Sequence, residues 1–255
     1  MLKLNSYKVE FGKFPNSENY LPIDQLEFYD RANVVELIYQ NDDDFIKLAI
    51  LKNFLDEMNA PAELHLPYMP HSRMDRPNGS YAVSLKAICS IINSLNFYKV
   101  IVREPHSSAT TNLINNIEVE EWCIGRAKSI FIRGGFDSIC FPDYGAKERY
   151  NWNGEEKISY GKKDRDFLTG DIKGLKLLGE CGKNVLIIDD ICSKGGTFVR
   201  IAKLLKEKGV NRIGLLVSYV ENTIFQGEIF DFVDIVYTNK DFELEIKHPR
   251  IEQTN

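Results

Sequence analysis

Asp189 and Asp190 stand just ahead of the turn Ser193-Lys194-Gly195-Gly196-Thr197, and the two features ask for different chemistry in one ligand. A glycine-rich turn that opens a helix leaves backbone N–H groups unpaired at the positive end of the helix dipole, which suits a phosphate. Carboxylates repel phosphate, so acids beside such a cradle need another purpose. They make sense as grips for hydroxyls, as the 2- and 3-hydroxyls of a ribose would require. The plainer alternative is a strand–turn–helix corner with a solvated Asp pair, and a glycine-rich turn alone would say far less than the whole combination.

The position of these residues follows from their neighbours. Val185 to Ile188 is an unbroken apolar run too short for a helix, so it reads as a strand buried on both faces. Ile201, Leu204 and Leu205 fall at helical spacing, so a helix follows. The acids and the turn are thereby delivered to the carboxyl end of a strand, the edge where open α/β sheets bind ligands.

Other residues have the same kind of placement. Leu66-Pro67-Tyr68-Met69-Pro70-His71-Ser72-Arg73-Met74-Asp75-Arg76 puts two arginines just past a strand over Glu63 to Tyr68, and arginines so placed can fork onto phosphate oxygens. His106 follows Glu104-Pro105 at the end of a strand over Tyr98 to Arg103. Asp143 follows a strand over Ser138 to Phe141, and Lys163 and Arg165 sit in a polar loop expected over Lys162 to Gly170. Taken singly, surface arginines, a lone histidine and a charged loop also suit structural or solvated roles.

Further elements are expected in alternation. Leu2 to Phe11 reads as a first strand, Phe14 to Glu18 as a turn, Tyr20 to Ile23 as a strand, and Asn33 to Tyr39 as another, closed by an acidic loop. Phe45 to Leu55 has strong helical spacing, with Asp43 or Asp44 as cap. Ser84 to Leu95 is a helix; Ser129 to Ile132, Lys157 to Tyr160, Ile213 to Tyr219 and Asp234 to Tyr237 are strand-like. Such alternation implies mainly parallel sheets with helices on both faces. Two α/β lobes of similar size, 1–140 and 141–255, meeting near residues 135–150, are expected.

At 255 residues the chain can bury a sizeable core. A net charge of −5 argues against general nucleic-acid binding, so an anionic substrate must meet local Lys and Arg clusters. Five cysteines (89, 123, 140, 181 and 192) show no paired metal-ligand spacing, and the chain opens without a signal-like apolar core. No apolar run approaches membrane-spanning length. A reducing cytoplasm is the expected compartment, with no membrane or nucleic-acid partner.

The stretch from Val185 to Thr197 resembles the phosphoribosyl-diphosphate (PRPP) motif shared by type I phosphoribosyltransferases and PRPP synthetases: an apolar strand, two acids, then a turn ending Gly-Thr. The Arg73-Met74-Asp75-Arg76 loop resembles the nucleotide loop of the synthetases, with Met74 in place of Gln and His71-Ser72 in place of Tyr-Ala; the transferases lack this loop. The resemblance to the synthetases runs from about residue 8 to 240 with the motifs in order. It implies two phosphoribosyltransferase-like lobes. It also implies a nucleotide loop of Arg73, Asp75, Arg76 and His106, and Mg²⁺ at His106 and at Asp143, the latter in a turn like the family's Pro-Asp-x-Gly-Gly. Glu104 and Ala146 depart from the family's Asp and Gly. Lys163 and Arg165 match the Lys-x-Arg of a lid over the transferring phosphates, implying transition-state stabilisation. Phe14 and Glu18 persist from a Phe-x-Asp-Gly-Glu turn that reaches the adenine bound by a neighbouring subunit, which implies a homo-oligomer.

The implied reaction is Mg²⁺-dependent transfer of the β,γ-diphosphate of ATP to the anomeric hydroxyl of ribose 5-phosphate. Asp189 and Asp190 would take the ribose hydroxyls, and Ser193, Lys194, Gly195, Gly196 and Thr197 the 5-phosphate. Three alternatives stay open. The first is a larger acceptor such as ADP-ribose, as in NAD salvage, since Lys194 adds a cation where the family's usual Asp-Thr-Ala-Gly-Thr has none. The others are a PRPP-consuming transferase and a non-catalytic synthetase-like partner. The family's Thr-His-Gly appears as Ser218-Tyr219-Val220, so its usual allostery and hexamer are not carried over.

Overall fold

Short apolar strands alternate with helices to build one large sheet in each of two units, Met1–Glu120 and Glu121–Asn255, and the first unit adds a small two-stranded sheet. The structure, a computed structural model, describes residues 1–77, 79, 81–165, 172–241, 244 and 246–254, without the side chains at 163–165, 172 and 173.

The first unit runs β1 (Leu2–Leu4), β2 (Tyr7–Val9), β3 (Gly12–Lys13), β4 (Asn19–Tyr20), β5 (Asn33–Leu37), α1 (Asp43–Glu57), β6 (Ala62–Leu66), α2 (Ser84–Ser94), β7 (Val100–Arg103), α3 (Ser108–Leu113) and β8 (Ile117–Glu120). Its sheet has the order β2-β1-β5-β6-β7-β8; β5 to β8 are parallel and β1 and β2 antiparallel. Its core packs Val35, Leu64 and Val102 from the strands against Leu48, Leu51 and Leu55 of α1 and Leu85 and Ile92 of α2.

The second unit runs α4 (Trp122–Arg133), β9 (Ser138–Phe141), α5 (Tyr144–Tyr150), β10 (Lys157–Arg165), β11 (Ile172–Gly179), β12 (Asn184–Cys192), α6 (Gly196–Glu207), β13 (Arg212–Val220), α7 (Ile229–Phe232), β14 (Ile235–Asn239) and β15 (Ile251–Thr254). Its seven strands are ordered β11-β10-β9-β12-β13-β14-β15, all parallel except the β10–β11 pair. Along β12 the pleat sends alternate side chains to opposite faces. Val185 and Ile187 pack with Phe198, Ile201 and Leu205 of α6, while Leu186 and Ile188 pack with Trp122, Ile130 and Tyr150. A strand covered on both faces needs an unbroken apolar run, which is what residues 185–188 supply.

The mainly parallel two-sheet architecture matches the fold class read from the sequence, with local differences. Leu2 to Phe11 is a hairpin, β1 and β2 turning through Asn5 and Ser6 at φ 50° and 73°, and not one strand. Ser129 to Ile132 lies inside α4, whose buried Trp122, Cys123, Ala127 and Ile130 make a helical face. The strand expected to end at Tyr160 continues through Arg165, because pairing with β11 satisfies its backbone despite polar side chains. Asp42, and neither Asp43 nor Asp44, stands at the N-cap of α1, with no side-chain cap bond. The units divide at Glu120/Glu121, ahead of the division at 140 read from the sequence, because α4 packs on β9 and β12 of the second unit. Among the described residues no helix is long and apolar enough to cross a membrane.

Leu186 is fully buried between β12 and the α4 face. Leu186→Ala should destabilise the chain by about 2–5 kcal/mol, measured as a lowered midpoint in urea unfolding.

Candidate active site

In the second unit, β12 ends in the sequence Asp189, Asp190, Ile191 and Cys192 and leads through Ser193, Lys194 and Gly195 into α6. Gly195 is the N-cap of α6 with φ +78°, a left-handed conformation, and a Cβ placed on it would lie 2.8 Å from Ile229 Cδ1. Both facts call for glycine at that position. The carbonyl of Gly195 accepts from Val199 N at 2.9 Å, and no side chain caps the helix, so the first-turn amides are available to an anion. Gly227 backs the same turn: a Cβ there would lie 1.9 Å from the Lys194 carbonyl oxygen. Gly196, by contrast, has open space beside it, and Lys194 is exposed. The turn is held from behind and open in front.

The two acids are held by other elements. Arg149, in the last turn of α5, places Nη1 2.9 Å from Asp190 Oδ1 and 3.4 Å from Asp189 Oδ1. The Cys123 thiol donates to the Asp189 carbonyl at 3.3 Å, and the Ser218 hydroxyl donates to the Asp190 carbonyl at 2.9 Å. Burial, followed by the charge of Asp190, pushes the Asp189 carboxyl well above the usual range, and Arg149 pulls the other way. Burial works against the charge on Arg149 as well, but Asp190 and Asp189 hold its guanidinium firmly protonated. The Cys192 thiol is pushed up, first by burial and then by the fields of Asp189 and Glu221, so it stays protonated and inert. Asp143 lies at the other end of α5, where its Oδ1 caps the helix by accepting from Ala146 N at 3.0 Å.

Lys163 and Arg165 lie at the end of β10, opposite Leu175 and Ile172 of β11. Their side chains, and the residues 166–171 that follow, lie outside the described residues, as does most of the loop in which a lid was expected.

In the first unit the arginine loop follows β6. Met69 and Ser72 are buried, and His71 has φ +58°, an uncommon state for a non-glycine residue. His71 Nε2 sits 3.0 Å from Asp42 Oδ1, which also accepts from the Tyr39 hydroxyl at 2.7 Å. This link ties the loop to the end of β5. Asp75 is the junction of the predicted nucleotide residues. Burial works against its charge, but Arg76, a hydrogen bond from Ser107 and the field of His106 prevail and hold its carboxyl below the usual range. Arg76 reaches Asp75 with Nε at 3.2 Å and Nη2 at 3.4 Å while its side chain remains exposed. Arg76, Asp75 and His106 are therefore brought together, and Arg73 is on the same loop. Ser107 caps α3 by accepting from Ala109 N at 3.3 Å. Phe14 and Glu18 close the β3–β4 hairpin, where Phe14 N donates to the Glu18 carbonyl at 2.9 Å and the exposed Phe14 ring packs 4.8 Å from Tyr20. Asn19 and Lys13 anchor this hairpin on Asp43 of α1.

Among the described residues no three His, Cys, Asp or Glu side chains are gathered as a metal cage. That suits Mg²⁺ only if phosphate oxygens and water complete its shell, since this ion takes few protein ligands. His106 beside Asp75 in the first unit, and the helix-capping carboxylate Asp143 in the second, fit such a thin shell.

A phosphoribosyl transferase domain model matches residues 140–243. The ribose-phosphate pyrophosphokinase of Sulfurisphaera tokodaii is 30% identical over 233 residues, covering 88% of this chain and 79% of that protein. The chain belongs to the ribose-phosphate pyrophosphokinase family. It is an enzyme of the diphosphotransferase class. The pyrophosphokinase of Pyrococcus furiosus is 29% identical over 227 residues, covering 80% of this chain and 75% of that one. The phosphoribosylpyrophosphate synthetase structure from Mycobacterium smegmatis superimposes with a TM-score of 0.77 at 15% identity, covering 97% of this chain and 85% of that one. This likeness shows the fold.

Within this pyrophosphokinase fold, Arg149 is the residue that motif reading passed over. It lies in a Lys-Glu-Arg run that looks like solvated surface, and only the turn of α5 brings it onto the acids. Gly195→Ala should distort the turn, at a cost of about 1–2 kcal/mol for the left-handed backbone alone, and should cut phosphate binding measured by calorimetry; Gly196→Ala should cost markedly less.

Proposed function

We propose that the chain transfers the β,γ-diphosphate of ATP to the anomeric hydroxyl of ribose 5-phosphate, giving PRPP and AMP. The observation that carries this is the junction of two acids with an open, uncapped helix N-terminus at the end of β12, a corner suited to a ribose bearing a phosphate. The names of the relatives agree with it. The arginine loop, absent from transferases that only consume PRPP, supports the synthetase direction.

In this reading the amides from Gly195 to Thr197, with Ser193 and Lys194, hold the 5-phosphate, and Asp189 and Asp190 accept from the ribose hydroxyls. Arg73 and Arg76 take ATP phosphates beside Asp75 and His106, and Phe14 with Glu18 reaches adenine across a subunit contact. His106 and Asp143 are the residues that would hold Mg²⁺ together with phosphate oxygens, and the ion would supply charge neutralisation at the diphosphate. In the transfer the acceptor oxygen attacks the β-phosphorus and gives up its proton to solvent, the bond between the β-phosphorus and the α,β-bridging oxygen breaks, and AMP leaves with that oxygen. Positioning and charge stabilisation are all the protein has to supply. Lys163 and Arg165 are assigned to the charge that develops in the transition state, where a late-arriving cation lowers the barrier more than it tightens ground-state binding.

A larger acceptor, ADP-ribose, is the second reading. It is favoured by one feature, the exposed Lys194 in an otherwise uncharged turn. Mass spectrometry after incubation with ATP, Mg²⁺ and either acceptor should show AMP and PRPP from ribose 5-phosphate; ADP as the nucleotide product would make the chain an ordinary kinase. Lys194→Ala should weaken ribose 5-phosphate and ADP-ribose alike if Lys194 only completes the 5-phosphate cradle. A loss confined to ADP-ribose, of about 1–3 kcal/mol, would instead favour the larger acceptor.

A further inference from the structure

Two carboxylates from consecutive residues sit at the end of β12 with little access to water: the Asp190 side chain is 4% exposed and Asp189 17%. Two such charges side by side are costly, and burial and mutual repulsion both drive one of them to take up a proton. A protonated carboxyl would meet a ribose hydroxyl as a donor, when the pair is needed as an acceptor. Something must set the charge of the pair.

Among the described residues, Arg149 is the cation placed on both acids, with the same nitrogen Nη1 within 3.4 Å of each. Its own position is fixed by helix α5, which starts at the Asp143 cap and ends in a left-handed Asn151, φ 38°. The guanidinium lies 5.7 Å from the centre of the Tyr150 ring, and that ring stacks on Phe141 of β9 at 6.1 Å. The other groups around the acids are weaker. Cys123 of α4 and Ser218 of β13 donate to the backbone carbonyls of Asp189 and Asp190. Cys192, on β12 itself, is a protonated thiol, and Glu221, past the end of β13, adds negative field.

We propose that Arg149 is a positioning residue for the acceptor: its guanidinium orients Asp189 and Asp190 together and sets the charge that the pair presents to the acceptor hydroxyls. The inference rests on the ribose-binding assignment of the two acids. Asp143 and Arg149 then act at opposite ends of one short helix, the first toward the metal and the second toward the sugar.

The test has a spectroscopic arm and a kinetic arm. Carboxyl titration of the pair is followed by infrared absorption, each protein taken as the difference from its own Asp189→Asn version. In Arg149→Met the titration should move up by about one pH unit or more, and in Arg149→Lys, which keeps the charge, it should stay near the wild-type position. Kinetically, Arg149→Met should raise the KM for ribose 5-phosphate by about ten-fold or more, with the KM for ATP little changed, and the loss should ease as pH rises. A folded Arg149→Met whose acids titrate as in the wild type, or whose acceptor KM is unchanged, overturns the proposal. If that variant does not fold, Arg149→Lys decides: its titration must stay in place while acceptor binding weakens a few-fold, and a displaced titration counts against the assignment. A wild-type chain that releases no AMP, while the infrared shift occurs as expected, would remove the diphosphate-transfer reading and leave the charge-setting role of Arg149 standing.

Discussion

The feature on which the second unit depends is the pairing of one guanidinium with two neighbouring acids, one buried and one partly buried, at the exit of its central strand. A strand covered on both faces must be apolar through its length, and β12 obeys this from Val185 to Ile188. The acids therefore mark the point where the strand leaves the core, and they are tolerable there only because α5 returns Arg149 to them. Removing one partner of such a group leaves the others desolvated and unbalanced, which is why buried ion clusters of this kind are worth little as stability and much as geometry. The next residues turn sharply through a left-handed Gly195 into α6, so positive helix end and negative acid pair stand side by side. Few ligands match both; a phosphorylated sugar does.

The first unit holds Arg76 in an ion pair that leaves most of its side chain exposed. Asp75 is nearly buried and keeps Arg76 at its two oxygens, yet the Arg76 side chain stays 79% exposed. The guanidinium end of this pair faces solvent and is screened there, while its carboxylate end is held in the loop. The loop itself is tied by the His71, Asp42 and Tyr39 contacts and by the buried Met69 and Ser72. His71 occupies the position of the tyrosine usual in the family's nucleotide loop, and it accepts a positive φ to make its contact.

How much of this was legible in the sequence depends on whether the physics is local. The Asp189–Thr197 corner was, because strand, acids and turn are contiguous and each step has a residue requirement of its own. So was the order of strands and helices around it, since β-branched runs and helical spacing are local signals. Arg149 was not, because its role is created by α5 folding back, and a Lys-Glu-Arg run carries no mark of that. Ser129 to Ile132 looked like a strand because a short apolar run fits either period, and only Trp122 and Ala127 complete the helical face. The extension of β10 through Arg165 depends on a partner strand, β11, that no residue within β10 announces. The division between units shifted for the same reason: α4 precedes the strand it packs on.

The most direct measurement is a crystal structure of the chain with ribose 5-phosphate. Its 5-phosphate should lie about 3 Å from the Gly196 and Thr197 amides, with the 2- and 3-hydroxyls hydrogen-bonded to Asp189 and Asp190. A phosphate bound away from the α6 N-terminus, or a ribose whose hydroxyls turn away from the acid pair, would contradict the assignment of this corner as the acceptor site.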